Sequence, residues 1–167
     1  MITYLIGDAT RPSGKILGNK IIAHICNDIG VWGRGFVLSV SENWPSPHDR
    51  YKEWHKTGKS KTGKEFRLGE VQLVKVENDV FIANMIAQHD IYTKDKIPPI
   101  RYDALKECLD KLASYAAMLD ATIHLPRIGC GLAGGEWIIV EELILNNLIN
   151  NPKFSASRKV FVYDLPS

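Results

Sequence analysis

Three stretches of this 167-residue sequence combine glycine with residues that can hold an anion or an amine. The most explicit runs from Pro126 to Trp137 (PRIGCGLAGGEW). Glycine lets backbone approach a ligand closely, and a helix N-terminus offers unpaired N–H groups with a dipole that favours negative charge. The pattern predicts a phosphate-cradling loop between a buried strand and a helix. A second glycine-punctuated stretch, Asp28 to Gly35, also runs into a predicted helix. The third, Gly7-Asp8-Ala9-Thr10, ends an apolar run. There the Asp8 carboxylate can accept hydrogen bonds from an exocyclic amine such as adenine N6, or it can cap a turn. All three fall at carboxyl ends of predicted strands, where open α/β sheets bind ligands. Two glycine loops side by side can hold a diphosphate.

Other chemistry-bearing residues lie nearby. His24 sits inside an apolar strand, three residues before Asn27. It reads either as a satisfied core histidine or as an acid–base group beside the loops. Cys130, between glycines and just before a helix, is either a nucleophile of lowered pKa or a small residue whose backbone matters. Gln88 and His89 close a predicted strand and can reach the same crevice. Gly58 to Lys64 fits the first seven positions of a Walker A loop, but Glu65 stands where Ser or Thr must hold magnesium. The segment also follows a helix-like stretch and not a strand, so the nucleotide-binding reading fails. Its lysines read as a solvated face.

The elements that must position these groups alternate between strand and helix. Strands are expected over residues 3–7, 20–27, 71–76, 80–87, 122–125 and 160–163. Helices are expected over 36–43, 48–55, from 101 to about 119, and over 136–148. Lys20 to Asn27 is almost continuously apolar, as a strand buried on both faces should be. Glu77-Asn78-Asp79 suits a hairpin in which Asn and Asp tolerate positive φ. The pattern gives an α/β fold, a mostly parallel sheet with one antiparallel hairpin, in one domain.

Composition excludes several classes. A hydrophobic share of 45% and a charged share of 24% are those of a globular chain. A net charge of only +2 does not suggest a protein that wraps nucleic acid. The first residues are interrupted by Asp8 too early for a signal peptide, and no apolar run reaches the length of a membrane span. Three widely spaced cysteines, Cys26, Cys108 and Cys130, read as a reducing, cytoplasmic setting without a disulfide framework or zinc site.

Taken together and in order, these stretches resemble the macro domain family, which binds ADP-ribose. Gly7-Asp8-Ala9-Thr10 looks like its N-terminal Gly-Asp-Ile-Thr, whose aspartate holds the adenine amine. His24-Ile25-Cys26-Asn27 followed by Gly33-Arg34-Gly35-Phe36 is similar to its Asn-Ala-Ala-Asn followed by Gly-Gly-Gly-Val. Gly129-Cys130-Gly131-Leu132 resembles the loop that grips the diphosphate. Val162-Tyr163-Asp164-Leu165 resembles the final strand, which leaves an apolar side chain near the adenine.

The branch it resembles contains terminal ADP-ribose protein glycohydrolase and ADP-ribose-1″-phosphate phosphatase. Pro126 to Leu132 with Trp137 looks like the former, His24-Ile25-Cys26-Asn27 like the latter. Gln88 stands where the glycohydrolase carries a lysine, and Ala133 where it carries an aspartate.

The resemblance implies a single macro domain over residues 1–167, a three-layer α/β/α sandwich on a mixed, mostly parallel sheet. It implies a ligand site built from Asp8, Ala9, Asn27, Gly33, Arg34, Gly35, Phe36, Gln88, Gly129, Cys130, Gly131, Leu132, Ala133, Gly134 and Leu165. The implied activity is metal- and cofactor-independent hydrolysis at C1″ of the distal ribose. In it His24, assisted by Asn27, positions water or protonates the leaving group. The implied partners are ADP-ribose or a derivative of it, and ADP-ribosylated protein. The alternative is a non-catalytic reader of ADP-ribose with the same pocket.

Overall fold

A computed structural model describes residues 1–155 and 158–166. Among these residues the elements are β1 (Ile2–Ile6), β2 (Lys20–Asn27), α1 (Phe36–Asn43), α2 (Ser46–Thr57), β3 (Val71–Glu77), β4 (Val80–Gln88), α3 (Tyr102–Leu119), β5 (Thr122–Pro126), α4 (Trp137–Ile144) and β6 (Val160–Asp164). The strands form one sheet in the order β1-β6-β5-β2-β4-β3. All pairs are parallel except β3 with β4. The fold is the expected α/β sandwich with a mixed, mostly parallel sheet.

The layers follow from strand alternation, since successive side chains point to opposite faces. Ile21 and Ala23 of β2, with Phe81, Ala83, Met85 and Ala87 of β4, join the core under α3 and α4. On the other face Ile22, Val80 and Ile82 pack with Val40 of α1, and Cys26 and Ile86 pack with Tyr51 and Trp54 of α2. Because both faces are covered, β2 and β4 are apolar almost throughout. That is why they read as continuous runs and not as alternating ones.

Two details differ from the sequence reading. The 136–148 helix is α-helical only to Ile144. It continues directly as a π-turn over Leu145–Ile149. In the β3–β4 hairpin neither Asn78 nor Asp79 takes a positive φ. A register shift between Lys75 and Glu77 absorbs the reversal, as a bulge beside a turn does.

The loop from β5 to α4 is folded tightly on itself. Gly135 N–H donates to Gly129 O at 2.7 Å. A Cβ on Gly135 would lie 2.5 Å from that same oxygen and 2.9 Å from Ile100 Cδ1, so glycine is required by space. Gly14, by contrast, has nothing within 4 Å of an added Cβ. Gly135→Ala is expected to destabilise the protein by about 1–3 kcal/mol through overpacking, and Gly14→Ala to stay within about 0.5 kcal/mol of the parent. Urea midpoints of the two variants check this; equal midpoints would contradict the close-packed loop.

Candidate functional site

β2 and β4 run side by side in register from Lys20↔Val80 to Cys26↔Ile86. The register then shifts, Asn27 falling opposite Gln88, and Asp28 N–H donates to Gln88 O at 2.9 Å. At this end lies a cavity of about 400 Å³ lined by Ile25, Cys26, Asn27, Val31, Gly33, Arg34, Val37, Gln88, Ile91, Tyr92 and Leu132. It is of the size that small ligands occupy.

Two elements with free backbone donors border it, α1 through Val37 and the glycine loop through Leu132. Helix α1 begins at Phe36 with no capping side chain; Leu38 N–H donates to Gly35 O at 3.1 Å, while the N–H groups of Phe36 and Val37 have no partner among the described residues. In the glycine loop, the N–H groups of Cys130, Gly134 and Gly135 are bonded within the loop. Those of Gly131, Leu132 and Ala133 have no partner among the described residues. An uncapped helix start and a run of free loop amides are what an anion needs.

Asn27 organises the near wall. Its Nδ2 donates to Val31 O at 2.7 Å, while its Oδ1 accepts from Ile29 N–H at 3.2 Å and Val31 N–H at 3.0 Å. The Tyr51 hydroxyl lies 2.6 Å from the Asn27 carbonyl oxygen and 2.9 Å from Oδ1. Burial drives the Tyr51 phenol well above its ordinary pKa, so it remains a donor.

His24 stands behind this wall. It is 2% exposed, boxed by the rings of Trp32 and Phe36, and absent from the cavity lining. Its Nε2 is 2.6 Å from Asn84 Oδ1. Asn84 Nδ2 donates to Gln72 Oε1 and Pro47 O, which fixes the amide with its oxygen towards the imidazole. Nε2 therefore carries the proton. Burial lowers the His24 pKa to about 4, against a smaller upward pull from Asn84, so the ring is neutral at pH 7.

At the rim a second histidine is paired with a carboxylate. His89 Nδ1 lies 2.7 Å from Asp28 Oδ2, and Asp28 Oδ1 accepts from Asp90 N–H at 2.8 Å. Asp28 follows Asn27 and His89 follows Gln88, so the pair sits one residue beyond the cavity-lining ends of both strands.

No family model matches the chain. The structure of a macrodomain protein from Streptomyces coelicolor superposes with a TM-score of 0.81 at 46% sequence identity, covering 98% of this chain and 99% of that one. The chain belongs to the macrodomain family. A chromodomain-helicase-DNA-binding protein 1-like from Danio rerio is 32% identical over 93% of this macrodomain, which spans only 15% of that relative's length. An ADP-ribose 1″-phosphate phosphatase from Candida albicans is 24% identical over 82% of this chain and 87% of its own.

Of the ligand residues expected in this macrodomain, Asn27, Gly33, Arg34, Gln88 and Leu132 meet at the cavity. The others lie outside its lining. Ala9 and Ala133 are buried. Asp8 forms a local turn, its Oδ1 accepting from Thr10 N–H at 2.8 Å and Thr10 Oγ1 at 2.7 Å, at the end of the edge strand β1. Gly35 precedes α1 at φ 78°, and Phe36 packs on His24. Gly129, Gly131 and Gly134 shape the loop without lining the cavity, and Leu165 is 76% exposed.

Cys130 lies outside the cavity lining, and burial raises its thiol pKa despite the opposing pull of Arg127. His24 and Asn27, expected to act together, are placed differently: Asn27 lines the cavity, while the His24 ring is buried outside that lining. Sequence reasoning missed Val31, Ile91 and Tyr92. The available signal was Tyr92 beside Ile91, an apolar and aromatic pair in a loop with Asp90, Lys94, Asp95 and Lys96.

His24 and His124 make stability depend on pH. Burial lowers the His124 pKa to about 3, with Lys20 adding to the effect. Folded values below the unfolded value of about 6.5 mean that the unfolded chain binds more protons between them. The stabilisation is complete above about pH 6.5 and is lost as pH falls towards 4, at up to about 3 kcal/mol per histidine. Urea midpoints should fall from pH 7.5 to 4.5, and less steeply in His24→Gln. A flat profile would show that neither ring is held neutral.

Proposed function

We propose that this macrodomain binds ADP-ribose derivatives and hydrolyses the bond to the substituent at C1″ of the distal ribose. The observation that carries the reading is the cavity at the β2 and β4 ends, set between uncapped α1 and the free amides of Gly131, Leu132 and Ala133. Both sets of N–H groups suit a diphosphate. Asn27, Gly33, Arg34 and Gln88 then surround a compact polar group next to it. The Arg34 guanidinium supplies the positive charge on which a phosphate or acyl leaving group can accumulate negative charge.

The water needs a proton acceptor, and the Asp28–His89 pair supplies one. With Nδ1–H donated to Asp28, the Nε2 lone pair of His89 is free, and the carboxylate orients and supports the imidazolium that forms. Water gives its hydroxyl to the distal-ribose side of the bond and its proton to His89. The departing group keeps the bonding electrons and is reprotonated from solvent or His89.

A second reading, a binding module without turnover, is favoured by one feature. Gln88 offers an amide where an ionisable group would have stood at the end of β4.

Calorimetric titration with ADP-ribose tests the common ground: no heat at millimolar ligand would discard both readings. Incubation with ADP-ribose-1″-phosphate, O-acetyl-ADP-ribose and mono-ADP-ribosylated protein then separates them. Hydrolysis of at least one is expected, with kcat falling about 10²–10⁴-fold in His89→Ala and little changed in His24→Gln. Binding without product from any of the three would leave the reader as the function. Full activity in His89→Ala would remove that residue from the chemistry.

A further inference from the structure

A second cavity lies away from the strand ends, between the 58–67 loop and the edge strand β3. It measures about 370 Å³. Its floor includes Val71 and Leu73 of β3, and its walls carry Arg50, Lys59, Lys61 and Lys64 against a single acid, Glu53. Lys64 Nζ bonds the Tyr115 hydroxyl and lies 4.5 Å from the centre of that ring. Arg50, Lys59 and Lys61 make no ion pair with a carboxylate among the described residues.

Lysines beside an edge strand ordinarily guard it against pairing with another chain. Here the loop that bears them is tied to itself and to α2, and a cavity remains between it and the strand. Ser60 N–H donates to Lys64 O at 2.8 Å, Phe66 N–H to Gly58 O at 2.9 Å and Trp54 Nε1 to Lys64 O at 2.9 Å, while Lys59 and Glu65 form an antiparallel bridge. Several of the loop's backbone groups are thus paired within the loop or with α2. Among the described residues β3 is paired only with β4, so its outer backbone edge lies beside the cavity without a strand partner there.

We propose that this groove docks an extended acidic peptide segment, which adds to the sheet alongside β3. An added strand supplies the missing backbone partners, places an apolar side chain beside the half-buried Leu73, and presents carboxylates to Arg50, Lys59 and Lys61. Single-stranded nucleic acid fits the same charge but not the rest of the site. Bases need an open aromatic face, whereas Trp54 is 2% exposed and Tyr115 is already covered by Lys64. The inference does not depend on what the strand-end cavity binds.

The test uses the whole protein and a labelled hexapeptide of alternating Glu and Val, followed by fluorescence anisotropy at low salt. Binding is expected, weakened about tenfold or more in the double variant Lys59→Glu/Lys61→Glu. N-methylation of the peptide amides that face one edge should abolish binding, and methylation on the opposite edge should not, because only one edge pairs with β3. ADP-ribose titrations of the double variant should match those of the parent, which separates this groove from the other cavity. No peptide binding, or equal binding of the two methylated peptides, would overturn the proposal. So would an oligothymidylate that binds more tightly than the peptide and loses its affinity in the double variant.

Discussion

The side chain of Asn27 is the constraint on which the site depends. β2 must end somewhere, and the chain must turn through Asp28 to Gly35 before α1 can begin. A loop that bends so sharply leaves backbone groups that need partners in a half-buried place. One amide provides them: Asn27 binds Ile29, Val31 and, through Tyr51, the helix on the neighbouring face. The loop is thereby drawn over the strand end, bringing Gly33 and Arg34 to the cavity. Asp could accept the N–H groups but could not donate to Val31 O, so both halves of the amide are used. Lys52, which donates to Gly30 O at 2.6 Å, ties the tip of the same loop to α2.

Beneath that loop a polar row crosses the sheet. His24, Asn84 and Gln72 occupy register positions directly opposite one another on β2, β4 and β3. Asn84 links its neighbours, and Gln72 continues to Arg50 O at 3.0 Å. An imidazole buried without a partner would be costly, but here its one donor is satisfied and its charge is suppressed. The row fixes the register of three strands more sharply than aliphatic contacts could, since a slip would strand several polar atoms at once. The imidazole is the inner end of a structural chain, and the cavity lies on the far side of Asn27 from it.

Much of the architecture could be read from the sequence because strong local signals agreed with the tertiary result. Lys20 to Asn27 and Phe36 to Asn43 begin and end where the apolar run and Trp44-Pro45 say they should. The glycine loop was visible because glycine is required there by contacts as close as that of Gly135 with Gly129. The site was only partly legible. Asn27, Gly33, Arg34, Gln88 and Leu132 reach one cavity, while Asp8 is held in its own turn three strands away from β2. His24 could be read from its type as a core residue or an acid–base group, and what covers its face of the strand is set by packing that the sequence does not show. The 58–67 lysines, read as a solvated face, line a cavity because the loop folds back towards an edge strand whose position only the sheet order reveals. The Asp28–His89 pair depends on two strand ends meeting across a register shift, which no spacing within either segment encodes.

That last pair has a wider physical consequence. Each strand end is occupied by a neutral amide, Asn27 on β2 and Gln88 on β4, and an amide can orient a ligand but cannot take its proton. The titratable side chains stand one step further out, at Asp28 and His89, where the strands have ended and solvent reaches the imidazole, whose side chain is 56% exposed. A base at the rim keeps contact with water while the ligand fills the interior. A base at the floor, as His24 would have been, must be desolvated, which depresses its pKa below the range where it can work. The buried and rim histidines are therefore alternatives imposed by one geometry: the floor is too dry to hold a useful charge, and the rim is the nearest place that is not.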